Sequence, residues 1–170
     1  QHSFSMNIVS RRPRRCCCLV RYPVASSKLS IGLSSHFPDL TSAEAALRSA
    51  VAAVEAAIPN AEFVEATPDL VDLADVADLI GCSRQNVRKY AVGEIRSTTH
   101  PFPAPVHCSH QSLYRLAEVV RWFGNYTVIK PAPSIHQIAF ATSTVNFEHQ
   151  AERLRKIGAR PHHERLALGG

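Results

Sequence analysis

Leu73 to Ala91 read LADVADLIGCSRQNVRKYA, and this stretch decides the fold. Leu73, Val76, Ala77 and Ile80 recur at i, i+3, i+4 and i+7, which places them on one face of a helix. Asp72 precedes the run as an N-cap, where a carboxylate satisfies free amides at the helix start, and Gly81 ends it. Ser83 is a second N-cap, and a second helix follows from Arg84 to Ala91 with Val87, Tyr90 and Ala91 facing inward. A glycine-containing connection of about three residues suits two helices crossing at roughly 90 to 120 degrees, the geometry of a helix-turn-helix. Ala77 is small where the helices cross, Gly81 permits the turn, and Val87 plugs the gap between them.

The second helix carries donors on its other side. Gln85 and Lys89 point most directly away from Val87, Tyr90 and Ala91, with Arg84 and Arg88 on one flank and Asn86 on the other. Arginine pairs bidentately with guanine, Asn or Gln with adenine, and Lys supplies phosphate contacts. The first helix bears Asp75 and Asp78 instead, so opposite charges are divided between the two. A solvated helical hairpin is the plain alternative; the cap spacing and this division of charge favour a groove reader. The expected DNA-binding set is therefore Ser83, Arg84, Gln85, Asn86, Arg88 and Lys89.

Downstream, Phe102 to Val106 and Ser112 to Tyr114 have the composition of two short strands joined across His107 to Gln111, a β-hairpin wing. The prolines at 103 and 105 confine the first of these to an edge. Leu116, Val119, Val120 and Phe123 then make a further helical stripe, with Trp122 expected in the core rather than as a platform for bases.

With LADVADLIGCSRQNVRKYA, PFPAPV and YRLAEVVRWF in view, residues 69–127 resemble the MerR and excisionase-like winged helix-turn-helix family, including AlpA-type phage regulators. The resemblance covers about a third of the chain. It implies that the second helix enters the major groove, that the wing contacts the backbone, and that Ser83 to Lys89 carry recognition. The wing departs from the family pattern, having Cys108-Ser109-His110-Gln111 and Tyr114 where that pattern has a glycine-containing turn followed by Trp.

Upstream, Leu29, Ile31 and Leu33 alternate with small polar residues as in a half-buried strand. Thr41-Ser42-Ala43-Glu44 has capping-box spacing, Leu47, Val51, Val54 and Ile58 form a helical stripe, and Ala61 to Ala66 read as a second strand. Residues 28–67 thus form a β-α-β unit, whose strands would pair in parallel. Beyond Lys130-Pro131-Ala132-Pro133, Ser134 to Gln137 repeat the capping-box spacing and open a helix over 134–158, with Ile135, Ile138, Thr142 and Val145 as its apolar stripe. That stripe makes the helix the candidate for pairing with a second copy. Residues 1–27 are expected as a basic, disordered arm and 159–170 as a tail.

Charge is segregated along the chain. Residues 1 to 30 hold six basic side chains and no acid, while residues 31 to 68 hold five acids and one base, Arg48. A basic arm can add non-specific phosphate affinity, although a solvated tail is the simpler reading. Five cysteines, three of them consecutive at 16–18, do not form the spaced framework of a secreted disulfide domain, so a reducing cytoplasm is expected and no export signal. No apolar run reaches the roughly 18 residues a membrane helix needs. His107-Cys108-Ser109-His110 lacks the paired spacings of a zinc site, and Asp69, Asp72, Asp75 and Asp78 lack the glycine and glutamate of a calcium loop. There is no phosphate-binding glycine loop, nucleophile elbow or matched acid pair.

The expectation is an α+β protein: an N-terminal β-α-β unit, a central winged helix-turn-helix over 69–127 and a C-terminal helix. It would act as a bacterial transcriptional regulator on double-stranded DNA, not as an enzyme, with no cofactor, no metal, no small-molecule substrate and a homodimer as its assembly. The alternatives are an interaction adaptor or antitoxin-like partner, and a directionality factor for phage or element excision.

Overall fold

The computed structural model describes residues 4–10, 26–31, 40–95, 98–108 and 110–158. The chain is α+β, with two small antiparallel sheets and helices packed on them. The first sheet contains β1 (Phe4–Ser10), β2 (Ser26–Ile31) and β3 (Ala61–Thr67), with α1 (Leu40–Ala57) between β2 and β3 in sequence.

Its strand order is β2-β1-β3, and β1 runs antiparallel to both neighbours. The β-α-β unit is therefore split. Its two strands are parallel but do not pair, because β1 lies between them. This corrects two expectations, direct pairing of the two strands and a disordered arm over 1–27, since residues 4–10 supply the central strand. Residues 11–25, with most of the basic side chains, lie outside the described residues, as do Leu33 and the tail 159–170.

Met6 is only 1% exposed and sits opposite Ala66, so β1 contributes to the core as well as to the ladder. The pairing skips Val64, since Asn7 faces Glu65 and Ile8 faces Phe63. An extra residue in one strand shifts the alternation of faces, which lets Phe63 and Ala66, three apart, both be buried. Ala43 and Leu47 of α1 cover them. The helix starts at Leu40, so Thr41 lies inside its first turn rather than capping it, and Glu44 instead accepts from Arg48 at 2.7 Å.

The second sheet, of order β4-β6-β5, has β4 (Leu70–Val71), β5 (His107–Cys108) and β6 (Ser112–Arg115). Around it lie α2 (Leu73–Ile80), α3 (Arg84–Ala91) and α4 (Leu116–Tyr126). Val71, Val76, Val87, Leu116, Val120 and Phe123 are buried in one cluster, each contributing about 1.5–3 kcal/mol when fully buried.

The last helix, α5 (Pro133–Gly158), joins the two cores. Ile135 and Ala139 enter the cluster around Phe123, while Ile138, Ala141 and Val145 enter the one around Met6 and Phe63. The stripe expected to meet a second copy is thus spent inside the chain. Pro133 rather than Ser134 opens the helix, and the Ala132 carbonyl accepts from the Ile135 and His136 amides. Proline suits this position because its missing N–H would be free there anyway.

Candidate nucleic-acid interface

The local chemistry of residues 72–91 holds α2 and α3 in place. Asp72 Oδ1 accepts from the amides of Ala74 at 2.6 Å and Asp75 at 2.9 Å, and Asp75 Oδ2 accepts from the Asp72 amide, closing a reciprocal cap. At the other end Gly81 has φ 76°, a left-handed conformation that glycine adopts without steric cost. The amides of Gly81 and Cys82 both donate to the Ala77 carbonyl, so the chain reverses within three residues. Ser83 Oγ then accepts from the Asn86 amide at 3.2 Å and starts α3.

Val87 has no exposed surface and Tyr90 is 8% exposed. The Tyr90 ring meets Trp122 and Phe123 edge-on at centroid distances of 5.5 and 5.4 Å, which anchors α3 to α4. Trp122 is core, as its sequence neighbours imply. Anchoring one side fixes the other. Arg84, Gln85, Arg88 and Lys89 are exposed, Ser83 is exposed beside them at the cap, and Asn86 is half-buried.

Among the described residues, no ion pair reaches Arg84, Arg88 or Lys89. Arg121 on α4 and Arg153 and Arg155 on α5 share that property, so it is the clustering that sets α3 apart: three cations and no acid in eight residues. Its neighbour α2 has Asp75 and Asp78 exposed and no base. The two adjacent helices therefore present fields of opposite sign.

The hairpin is shorter than expected and displaced. Val106 donates to the Leu113 carbonyl at 2.8 Å, and only His107 and Cys108 continue the ladder, opposite Leu113 and Ser112. Pro103 and Pro105 have no N–H to give a ladder, which keeps residues 102–105 out of it. Phe102 instead packs its ring edge-on against Tyr114 and Trp122. Gln111 Nε2 donates to Asp72 Oδ2, so the hairpin turn is tied to the cap of α2. His107, Cys108, His110 and Gln111 are exposed.

Several positioning residues carry no signal in the sequence. Arg115 Nη1 lies 3.1 Å from Asp69 Oδ1 and 3.4 Å from Ser143 Oγ, so it holds the base of the hairpin to α5. Asp69, though charged, is only 5% exposed. Partial burial raises the pKa of the Cys82 thiol, the direction that disfavours a thiolate. Among the described residues no three His, Cys, Asp or Glu side chains converge as a metal site would require, and no helix is long and apolar enough to cross a membrane. No protein-family model matches the chain, and neither a curated protein nor a solved structure does.

Proposed function

We propose that the chain is a sequence-specific double-stranded DNA-binding protein, a transcriptional regulator of winged helix-turn-helix type with α3 in the major groove. The observation that carries this reading is that Arg84, Gln85, Arg88 and Lys89 are all exposed on a helix whose other side buries Val87 and Tyr90, with Gln85 and Lys89 most directly opposite them. A helix held rigidly from behind presents its donors in a fixed pattern, as reading base edges requires. In this reading the hairpin, tied through Gln111 to the α2 cap, would meet the flanking backbone. The resemblance to MerR and excisionase-like proteins points the same way.

Selection from random duplex DNA, followed by footprinting, tests the proposal. One enriched motif is expected, with log affinity falling linearly as log salt rises, because bound cations release counterions from phosphates. No enrichment, together with no salt-dependent duplex binding, would overturn it.

A further inference from the structure

The outer side of α5 has an apolar seam that nothing in the described chain covers. Past Asn146 the helix runs on for three turns to Gly158, and Phe147 and Leu154 are each 68% exposed. On a 100-degree wheel these two point about 180 degrees away from Ile138 and Val145, which are spent on the core. Thr144, Phe147, Ala151 and Leu154 follow one another at steps of three, four and three and so keep one face at the 3.5-residue period of a coiled-coil seam. Large and small side chains alternate along it, so Phe147 and Leu154 of one helix would fit over Ala151 and Thr144 of another.

Charge selects the occupant and its direction. Glu148 and Arg155 flank the seam on the same side, one heptad apart, and both are exposed. Two such helices run antiparallel bring Glu148 of each beside Arg155 of the other, twice per pair. Run parallel, each would face an uncharged Ser143 or Gln150 instead. Glu148 Oε2 meets Arg48 at 2.6 Å within the chain, while Oε1 has no ion pair among the described residues.

We propose that this seam is a two-fold interface in which the last three turns of α5 pair antiparallel with those of a second copy of the chain. The reading deepens the DNA-binding proposal, and rests on it only in that a two-fold dimer presents α3 twice, to paired half-sites. Association itself is measured without DNA, so the two readings fail separately.

Sedimentation equilibrium of the full chain is the test. The wild type is expected as a dimer, and Phe147→Glu and Leu154→Glu each to halve the mass with helix content and melting unchanged, since both side chains lie outside the core. Arg155→Glu sets like charges opposite each other and is expected to weaken the dimer at low salt and recover as salt rises. A monomeric wild type, or a dimer that survives both apolar substitutions, overturns the interface. An Arg155→Glu chain that dimerises as tightly as wild type at low salt overturns the antiparallel register.

Discussion

Asn146 of α5 pairs with the whole main-chain unit of Ala66 in β3: the Ala66 amide donates to Oδ1 at 2.7 Å, and Nδ2 donates back to the Ala66 carbonyl at 2.8 Å. Nδ2 also donates to Asp69 Oδ2 at 3.0 Å, and Asp69 in turn holds Arg115. Nearby, Thr142 Oγ1 donates to the Pro68 carbonyl at 2.8 Å. One face of α5 therefore clamps the segment that connects the N-terminal sheet to the α2–α3 unit. Asn146 is 3% exposed, so replacing it by Leu strands buried polar groups, at about 1–3 kcal/mol each. Asn146→Leu is expected to lower unfolding stability by about 2–4 kcal/mol, read from urea midpoints. Unchanged midpoints would mean that these groups find water instead.

Val87 fills the crossing of α2 and α3 with no exposed surface. Val87→Asp places an unpaired carboxylate there, a cost of several kcal/mol. The α2–α3–α4 core is expected to unfold, with DNA binding lost as a consequence, and a thermal melt reads it. A variant that melts like wild type would place Val87 outside the core.

The α2–turn–α3 stretch was legible because its determinants are local: Asp72 and Ser83 cap amides within three residues, Gly81 allows the turn, and Leu73, Val76, Ala77 and Ile80 repeat at the helical period. β1 was not. Phe4, Met6 and Ile8 do alternate with Ser5 and Asn7, but the arginines from Arg11 onward dominate the segment's composition, and the strand's partners lie some 20 and 60 residues away. For α5 the pattern Ile135, Ile138, Thr142, Val145 marked a buried face without saying what buries it, so a partner helix was expected where the chain's own two cores lie. The clamp was illegible altogether. Asp69, Asn146 and Arg115 are polar residues in unremarkable positions, and only the fold brings them together.

His136 on α5 sits against Gly124 of α4, where an added Cβ would lie 3.3 Å from its Nε2. Burial lowers its pKa from the ordinary value of 6.5, so the folded state favours the neutral ring. On acidification the unfolded chain takes up the proton first. Stability from this group is fully present above pH 6.5 and is lost as pH falls below it. Urea midpoints compared from about pH 8 down to about pH 5 are expected to fall less for His136→Gln than for wild type. Parallel curves for the two proteins would show that His136 does not carry this dependence.

On the DNA-binding proposal, base reading and phosphate contact are expected to separate within α3. Gln85 and Arg88 are exposed on its outward side, Gln85 in the first turn and Arg88 one turn further on, at lengths that reach base edges when the helix lies in the major groove. Replacing either by Ala is expected to cost about 1–3 kcal/mol and relax preference at one base position, since each can form a bidentate pair. Lys89 is a point charge at the far end of the helix, so Lys89→Ala is expected to weaken all duplexes about equally and lower the salt slope by roughly one unit. Ser83→Ala acts differently again, through the cap it gives the Asn86 amide, and is expected to cost about 1 kcal/mol of stability without changing base preference. Competition over single-base variants of the selected site, at two salt concentrations, distinguishes the three patterns. If folded Gln85→Ala, Arg88→Ala and Lys89→Ala proteins all keep wild-type affinity and preference, α3 is not the reader, and the row of donors it presents is a solvated face.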